Sequence, residues 1–354
     1  MARTVLVTGA NGYIGNAVAR AFVRAGWITY GLVRSSASAP ALAGEEIIPV
    51  VGAIDDQSSH ETILARLPVP LDAIVSTTEA TFNYLPHYTN LVALFRTLAK
   101  PTVSAGAPKP LLLFTSGCKD YGVGPHIHGT PGLAPHTEDA PRNPPPPLAA
   151  RAENAARIFD HSDLLAPVLL RPTNVYGRSS SFYAGFLQVA AQAAAAASSS
   201  ETKNPVLIVP ADPNFVLHAL HVDDCADGYV SLAEHPRRDE VEGHVFNISA
   251  YRYETVDEVA RALVREYGIK GGVEYVKPDE VKPGDNPWPP LLIDFPQWTG
   301  SAKLRGVTGW RDRRPLFSEA LHVYRQSYEV AAGNELTARM QDRVASVFQG
   351  FDSS

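Results

Sequence analysis

The sequence predicts an α/β protein with a Rossmann-type doubly wound parallel sheet and a smaller C-terminal substrate lobe. In the first half of the chain, short β-branched runs alternate with amphipathic stretches, which is the pattern of successive βαβ units. A glycine-rich turn at 8–15, TGANGYIG, joins the first apolar run to the first helical stretch. The alternation fails after about Arg178, which indicates that a different part of the fold begins there.

Each element is predicted from its own periodicity. Strands are expected over TVLVT (4–8), WITYGLV (27–33), EIIPVV (46–51), DAIVS (72–76), LLLFTS (111–116) and APVLLRP (166–172). Helices are expected from about Asn16 to Ala25, around His60 to Arg66, after Asn90, after Leu148 and over TVDEVARALVREYG (255–268). HVFNIS (244–249) could return to the sheet as a further strand.

Composition narrows the class of partner. The chain has 354 residues, 45% of them hydrophobic, and a formal net charge of −6 without any basic block, which argues against nucleic-acid binding. It has two cysteines, no secretory-signal pattern and no apolar run long enough for a membrane span. We therefore expect a cytoplasmic protein with a small-molecule substrate, no nucleic acid and no membrane.

The glycine-rich turn carries the first functional signal. Gly9 permits a tight turn, Gly12 lets the backbone approach a pyrophosphate, and Gly15 lets the helix pack closely on the strand. The helix N-terminus that follows is suited to phosphate groups. Strand, glycine spacing and helix together predict a dinucleotide site.

Arg34 predicts which dinucleotide is bound. It closes the second strand, where an NAD-specific fold usually carries an acidic residue for the ribose hydroxyls. An arginine there suits a 2′-phosphate, so the expected cofactor is NADP(H). We expect residues 1–178 to form the NADP-binding Rossmann domain, with 220–250 returning to it. Residues 179–219 and 251–354 would form the smaller substrate-binding lobe.

These motifs resemble those of the extended short-chain dehydrogenases/reductases, which include the NAD(P)-dependent epimerases and dehydratases. The resemblance covers most of the chain and rests on TGANGYIG (8–15), GAID (52–55), LLLFTSGCKDYG (111–122), LRPTNVYG (170–177), HVDDCADG (221–228), HVFNIS (244–249) and Gly309–Trp310. It implies that the pyrophosphate lies at the glycine turn, the adenine beside Ile54 and Asp55, and the nicotinamide beside the segment after the sixth strand. The cofactor-binding residues expected are Gly9, Asn11, Gly12, Tyr13, Ile14, Gly15, Arg34, Ile54, Asp55, Thr77, Pro172, Thr173 and Asn174.

The chain departs from the family at its catalytic positions. Family members place a Ser or Thr after the fifth strand, then a Tyr and, four residues later, a Lys at the start of the next helix. Matching YG at 121–122 puts Gly117 at the first position, and matching Glu153 puts Pro145 and Ala149 at the other two. Between Tyr121 and Phe159 there is no tyrosine or lysine, so a small shift of register does not restore the pair.

The loop after the fifth strand carries the nearest substitutes. In the sugar-nucleotide dehydratases, which this loop resembles, the places held here by Cys118 and Lys119 carry acid/base carboxylates. We expect Lys119 to be the proton donor, because a desolvated lysine has a lowered pKa, and Tyr121 and Ser116 to be the other candidate catalytic residues. Cys118 is expected to pack, and the His126–His128 pair lacks a third ligand, so no metal is expected.

Further expectations concern packing. Tyr84, His87, Tyr183 and Trp288 could line a pocket, although packing is the commoner role of such aromatics. Asp223 and Asp224 are expected to cap a helix. An alanine-rich face, Ala149, Ala152 and Ala156, suggests a possible homodimer.

Three functions fit these observations. The first is an NADP(H)-dependent oxidoreductase that acts on a small-molecule carbonyl or hydroxyl with non-standard acid/base residues. The second is a redox-neutral isomerase, epimerase or cyclase that keeps NADP as a scaffold or recycles it. The third is a non-catalytic NADP-sensing protein. Net cofactor turnover separates the first from the others, and isomerisation without it separates the second from the third.

Overall fold

A parallel sheet lies at the centre of the molecule. The computed structural model describes residues 2–179, 182–199, 204–281, 286–289 and 291–332. In chain order, the strands are β1 (Thr4–Thr8), β2 (Ile28–Val33), β3 (Ile48–Val51), β4 (Ala73–Ser76), β5 (Leu111–Thr115), β6 (Ala166–Pro172), β7 (Asn174–Tyr176), β8 (Leu207–Val209), β9 (Val216–Leu217), β10 (Ala219–His221), β11 (Val245–Ile248), β12 (Glu254–Thr255) and β13 (Val273–Tyr275). The central sheet has the order β11-β6-β5-β4-β1-β2-β3, and every neighbouring pair is parallel.

This order confirms the predicted Rossmann-type α/β fold. All residues of β1 and β6 are buried, as expected for parallel strands covered on both faces. The strand order reverses between β1 and β4, and in such sheets ligands bind beyond the carboxyl ends at the point of reversal. The strand predicted at 244–249 is present as β11, paired with β6.

Helices cover both faces of the sheet and continue into the C-terminal part. They are α1 (Tyr13–Arg24), α2 (Ala39–Ala43), α3 (Gln57–Leu64), α4 (Tyr84–Ser104), α5 (Ala149–Ala156), α6 (Ala184–Ser199), α7 (Val222–Ala233), α8 (Val256–Tyr267), α9 (Ala302–Thr308) and α10 (Leu321–Ala332). The first begins directly after the glycine turn, three residues earlier than predicted, because the turn itself supplies the helix start.

The predicted cap of α7 was wrong. The N-cap is His221, whose Nδ1 accepts a hydrogen bond from the Asp223 backbone N–H at 3.1 Å. Asp223 and Asp224 lie in the first helical turn, where negative charge is favoured by the helix dipole. Their carboxylates bind Arg178 and Arg314 instead of capping the helix.

A second apolar core lies in the C-terminal part, among α6, α8 and α10. Tyr183 and Trp288 are buried in it, and the Trp288 indole N–H donates to the Ile208 carbonyl at 2.9 Å. These two aromatics therefore pack within the core and do not line an open pocket. The division of the chain into two lobes stays a prediction, and residues 333–354 of the expected substrate lobe lie outside the described residues.

The segment 297–301 joins this second part to the central sheet. The Gln297 side-chain amide donates to the carbonyls of Cys118, at 2.9 Å, and Gly122, at 2.8 Å. The Ser249 hydroxyl, just beyond β11, donates to the Thr299 carbonyl at 2.7 Å. Hydrogen bonds between side chain and backbone thus hold the segment against two strand ends.

Two predictions about surfaces can be placed on this fold. Within the described part of the chain, no helix is both long and apolar enough to cross a bilayer. On the alanine face of α5, Ala149 is exposed, but Ala152 is buried against the protein's own interior. The homodimer stays a prediction.

Candidate functional site

The glycine turn between β1 and α1 has a shape that larger residues would not permit. Gly9 has φ +68°, in the left-handed region that favours glycine, and its carbonyl accepts from the Gly12 N–H at 2.7 Å. A Cβ placed on Gly15 would lie 2.1 Å from the Gly9 oxygen and 2.5 Å from Thr77 Oγ1. The turn therefore brings backbone and helix N-terminus together without side chains between them, which fits a bound pyrophosphate.

The other predicted cofactor residues lie at the same edge of the sheet. Thr77 follows β4 and donates its hydroxyl proton to the Thr8 carbonyl at 2.6 Å, which joins the ends of β4 and β1. Arg34 follows β2, is exposed, and pairs with no carboxylate of the described residues. The remaining predicted positions lie at the glycine turn or at the carboxyl ends of β3 and β6: Asn11, Tyr13, Ile14, Ile54, Asp55, Pro172, Thr173 and Asn174.

Gly15→Ala is expected to abolish dinucleotide binding. The added methyl would clash with both the Gly9 carbonyl and Thr77 Oγ1, and both groups shape the turn. Calorimetric titration with NADPH and NADH measures the loss. Gly306→Ala is the matched control, because a Cβ at that position of α9 meets open space. An affinity within about twofold of wild type for Gly15→Ala would contradict the assignment, since about 0.4 kcal/mol corresponds to that ratio.

A buried aspartate organises the loop after β5. Asp120 is completely buried and accepts from the Ser116 hydroxyl at 2.6 Å and from Arg171 Nε at 3.2 Å. Arg151, on α5, donates to the same carboxylate through Nη2 at 2.9 Å and Nε at 3.2 Å. Its Nη1 reaches Glu79, beyond β4, at 3.1 Å. The ends of β4, β5 and β6 and the start of α5 therefore share one charged cluster.

The same loop carries Lys119, next to Asp120 in the chain. Its Nζ donates to the Leu291 carbonyl at 2.5 Å and stands 4.1 Å from the centre of the Phe295 ring. Burial lowers the pKa of its ammonium to about 7, with Asp294 opposing the shift and Arg151 adding to it. A group that titrates near neutrality can both give and take a proton under ordinary conditions.

A sequence model of the NAD dependent epimerase/dehydratase family matches residues 5–249. The chain belongs to this family. It is 25% identical over 289 residues to UDP-glucose 4-epimerase 4 of Oryza sativa subsp. japonica, covering 76% of this chain and 78% of that protein.

Solved structures of the family have the same fold. The dTDP-glucose 4,6-dehydratase from Bacillus anthracis str. Ames, in complex with NAD, matches with a TM-score of 0.67 at 19% identity, over 93% of this chain and 97% of that one. The UDP-glucose 4-epimerase from Thermotoga maritima, with UDP-glucose, matches with a TM-score of 0.66 at 17% identity, over 93% and 99%. At these identities the likeness shows the fold alone.

The segment expected to hold the family's tyrosine–lysine pair enters α5 through prolines. Residues Pro146–Leu148 form a single 3₁₀ turn, and α5 begins at Ala149. Prolines are tolerated there because a first turn does not need their missing N–H. A Cβ on Gly117, at the expected serine position, would lie 3.3 Å from Arg151 Nη2. The guanidinium of Arg151 therefore packs directly on Gly117.

The hydroxyl groups proposed as alternative acids are held inside the protein. Tyr121 is 2% exposed, donates to Asn247 Oδ1 at 2.7 Å and accepts from Arg171 Nη1 at 2.9 Å. Burial raises the pKa of this phenol well above its usual range. The Ser116 proton is directed at Asp120. Lys119 is therefore the one of the three predicted catalytic residues whose pKa lies near neutrality.

Other polar residues of the region are structural. Cys118 is buried, as predicted, and donates to the Arg171 carbonyl at 3.1 Å, and burial raises its thiol pKa to about 12. His126 accepts from the Trp298 N–H at 3.1 Å, and no set of three His, Cys, Asp or Glu among the described residues could hold a metal ion. Tyr84 is buried, and burial raises its pKa.

Sequence reasoning named the loop that contains Asp120 but gave this carboxylate no role, and it missed Arg151 and Glu79 as parts of the candidate site. Arg151 stands two positions beyond the expected lysine position, on the helix that enters the site. The available signal was an arginine near the start of a helix whose expected lysine position holds Ala149. Its pairing with residues 31 and 72 positions away in the chain is visible only in the fold.

Proposed function

We propose that this protein is an NADP(H)-binding enzyme that acts on a carbonyl or hydroxyl group of a small metabolite, with Lys119 as its acid/base group. The single observation that supports this best is the lysine itself. It lies in the turn that follows β5, at the edge of the sheet where ligands bind, and burial lowers its pKa to about 7.

Different segments of the chain would bind the cofactor and transfer the proton. The glycine turn would hold the pyrophosphate, Arg34 the 2′-phosphate, and the segment 172–174 the nicotinamide side. A bound nicotinamide supplies or accepts the hydride. In a reduction, the Lys119 ammonium would give its proton to the substrate oxygen, and in an oxidation the neutral amine would take the hydroxyl proton.

A redox-neutral epimerase or isomerase is the second candidate, favoured by membership of the epimerase/dehydratase family. The same proton transfer would then run in both directions within one turnover, without net change of NADP(H). Sugar nucleotides are the substrates to try first, because the names of the similar proteins contain UDP-glucose and dTDP-glucose.

Mass spectrometry of what co-purifies with the protein, followed by two assays on that molecule, tests these alternatives. Net formation or loss of NADPH absorbance supports the oxidoreductase. Isomer formation without that change supports the epimerase. If the bound molecule and a panel of sugar nucleotides give neither signal, the enzyme proposal is wrong and a cofactor-sensing protein is favoured.

Arg34→Ala is expected to remove most of the preference for NADP(H) over NAD(H). A charge-assisted bond from arginine to phosphate contributes about 1.5–3 kcal/mol, or about ten- to a hundredfold in affinity. Calorimetric titration of both cofactors measures the ratio, with Arg66→Ala, another exposed arginine, as the control. Wild-type protein that binds NAD as tightly as NADP would show that Arg34 does not select the cofactor.

A further inference from the structure

Arg151 binds two carboxylates, and one of them, that of Glu79, is much more exposed than the other. Arg151 and Arg171 share Asp120, which is completely buried, so this carboxylate stays with them. The second carboxylate on Arg151 belongs to Glu79, whose side chain is 42% exposed, while that of Arg151 is 9% exposed. Glu79 is therefore the member of the cluster that solvent and solutes reach.

The hydrogen-bond capacity of Arg151 exceeds what the protein uses. A guanidinium has five N–H donors. Asp120 receives one from Nε and one from Nη2, and Glu79 receives one from Nη1. Two N–H groups have no acceptor within the described ranges of the chain. Gly117 has no side chain to lie against Nη2, whereas a Cβ at that position would be 3.3 Å from this atom.

The charge of the cluster changes if Glu79 leaves. With Glu79 in place, two guanidinium groups face two carboxylates. Without it, two guanidinium groups share one carboxylate, and Lys119 lies close enough for Arg151 to lower its pKa. The cluster would then have a net positive charge beside the proposed proton donor.

We propose that Arg151 binds a carboxylate of the substrate, which takes the place of Glu79. The inference rests on the proposed function and specifies its substrate class as carbonyl or hydroxyl compounds that carry a carboxylate, such as 2-oxo acids. A planar guanidinium binds a carboxylate through two parallel hydrogen bonds, which fixes the orientation of the ligand as well as its position. The substrate oxygen would thereby be held near the loop that carries Lys119, which is close enough to Arg151 for the guanidinium to lower its pKa.

Binding is the first test, because it does not depend on turnover. The probes are 2-oxo acids from pyruvate to 2-oxohexanoate, each beside its methyl ester, titrated calorimetrically into wild-type protein with and without NADPH. At least one acid is expected to bind tenfold or more tightly than its ester. Equal affinity for acid and ester throughout, or no binding of any acid, would overturn the inference.

Two substitutions are expected to change the affinity for the acid in opposite directions, and a misfolded variant could not show the increase. Glu79→Gln removes the competing charge, so it should raise the affinity for the acid three- to tenfold and leave the affinity for the ester unchanged. Arg151→Lys keeps the positive charge but loses the paired hydrogen bonds, so it should lower the affinity for the acid tenfold or more. Glu153→Gln and Arg157→Gln, exposed positions on or next to α5, should leave both affinities unchanged. If Glu79→Gln binds the acid with unchanged or lower affinity, the substrate carboxylate does not take the place of Glu79 on Arg151.

Failure of the carboxylate site and failure of the proposed enzyme activity give different results. Tight acid binding without any turnover would reject the enzyme while supporting Arg151 as a carboxylate site. Turnover of neutral substrates with no preference for acids would support the enzyme and reject the carboxylate site.

Discussion

Replacing Asp120 with alanine is expected to lower the free energy of unfolding by about 3–5 kcal/mol, because it leaves buried positive charge without its partner. The carboxylate accepts from Arg151, Arg171 and Ser116, and it has no exposed surface. Arg171 is itself buried. Denaturant unfolding followed by circular dichroism measures the change.

The control is Asp139→Ala, an exposed aspartate in the loop that leads to α5. Its effect should stay within about 0.5 kcal/mol, as for most surface substitutions. A loss below about 1 kcal/mol for Asp120→Ala would mean that the two arginines find other partners and that the cluster is not organised by this carboxylate.

Lys119→Met is expected to reduce turnover by about 10² or more while leaving NADP(H) affinity nearly unchanged, because it removes the proton donor but keeps much of the apolar stem. In the wild type, reduction should slow as the pH rises above about 7, where the ammonium is lost, and oxidation should accelerate over the same range. Lys109→Met, at an exposed lysine, is the control. Full activity in Lys119→Met would assign the acid to another group.

The same lysine makes a separate prediction about stability. Its pKa is about 7 in the folded protein against 10.5 as the ordinary value, so between these values the unfolded chain binds the additional proton. The cost of burying the charged form is therefore fully present below about pH 7 and is relieved as the pH rises toward 10.5. The thermal stability gained by Lys119→Met should shrink across this window.

Much of the fold could be predicted because its causes are local. Parallel strands covered on both faces appear as continuous apolar runs, and β1, β5 and β6 follow them closely. The glycine turn could be recognised since Gly9 and Gly15 have no substitutes in that shape. The start of α1 was misplaced by three residues because periodicity begins only after the turn has already formed the first helical residues.

The site was less predictable because it is assembled from distant segments. Glu79 and Asp120 come from two different loops and Arg151 from α5, and nothing in the spacing of 79, 120 and 151 pairs them. Tyr121 follows a strand in the expected way, but its ring turns into the interior toward Asn247. In α7, His221 caps the helix in place of the expected aspartates, whose carboxylates pair with Arg178 and Arg314 from distant parts of the chain.

The segment 297–301 has a consequence for local unfolding. Its side chains and carbonyls bind the ends of β5 and β11, and the Thr299 backbone N–H donates to His218 Nδ1 at 3.1 Å. Detaching the segment would leave several buried polar groups without partners at the same time, which makes partial opening costly. Its amide protons should therefore exchange with solvent as slowly as those of the neighbouring strands. In hydrogen exchange, this stretch of loop would belong to the same cooperative unit as the central sheet.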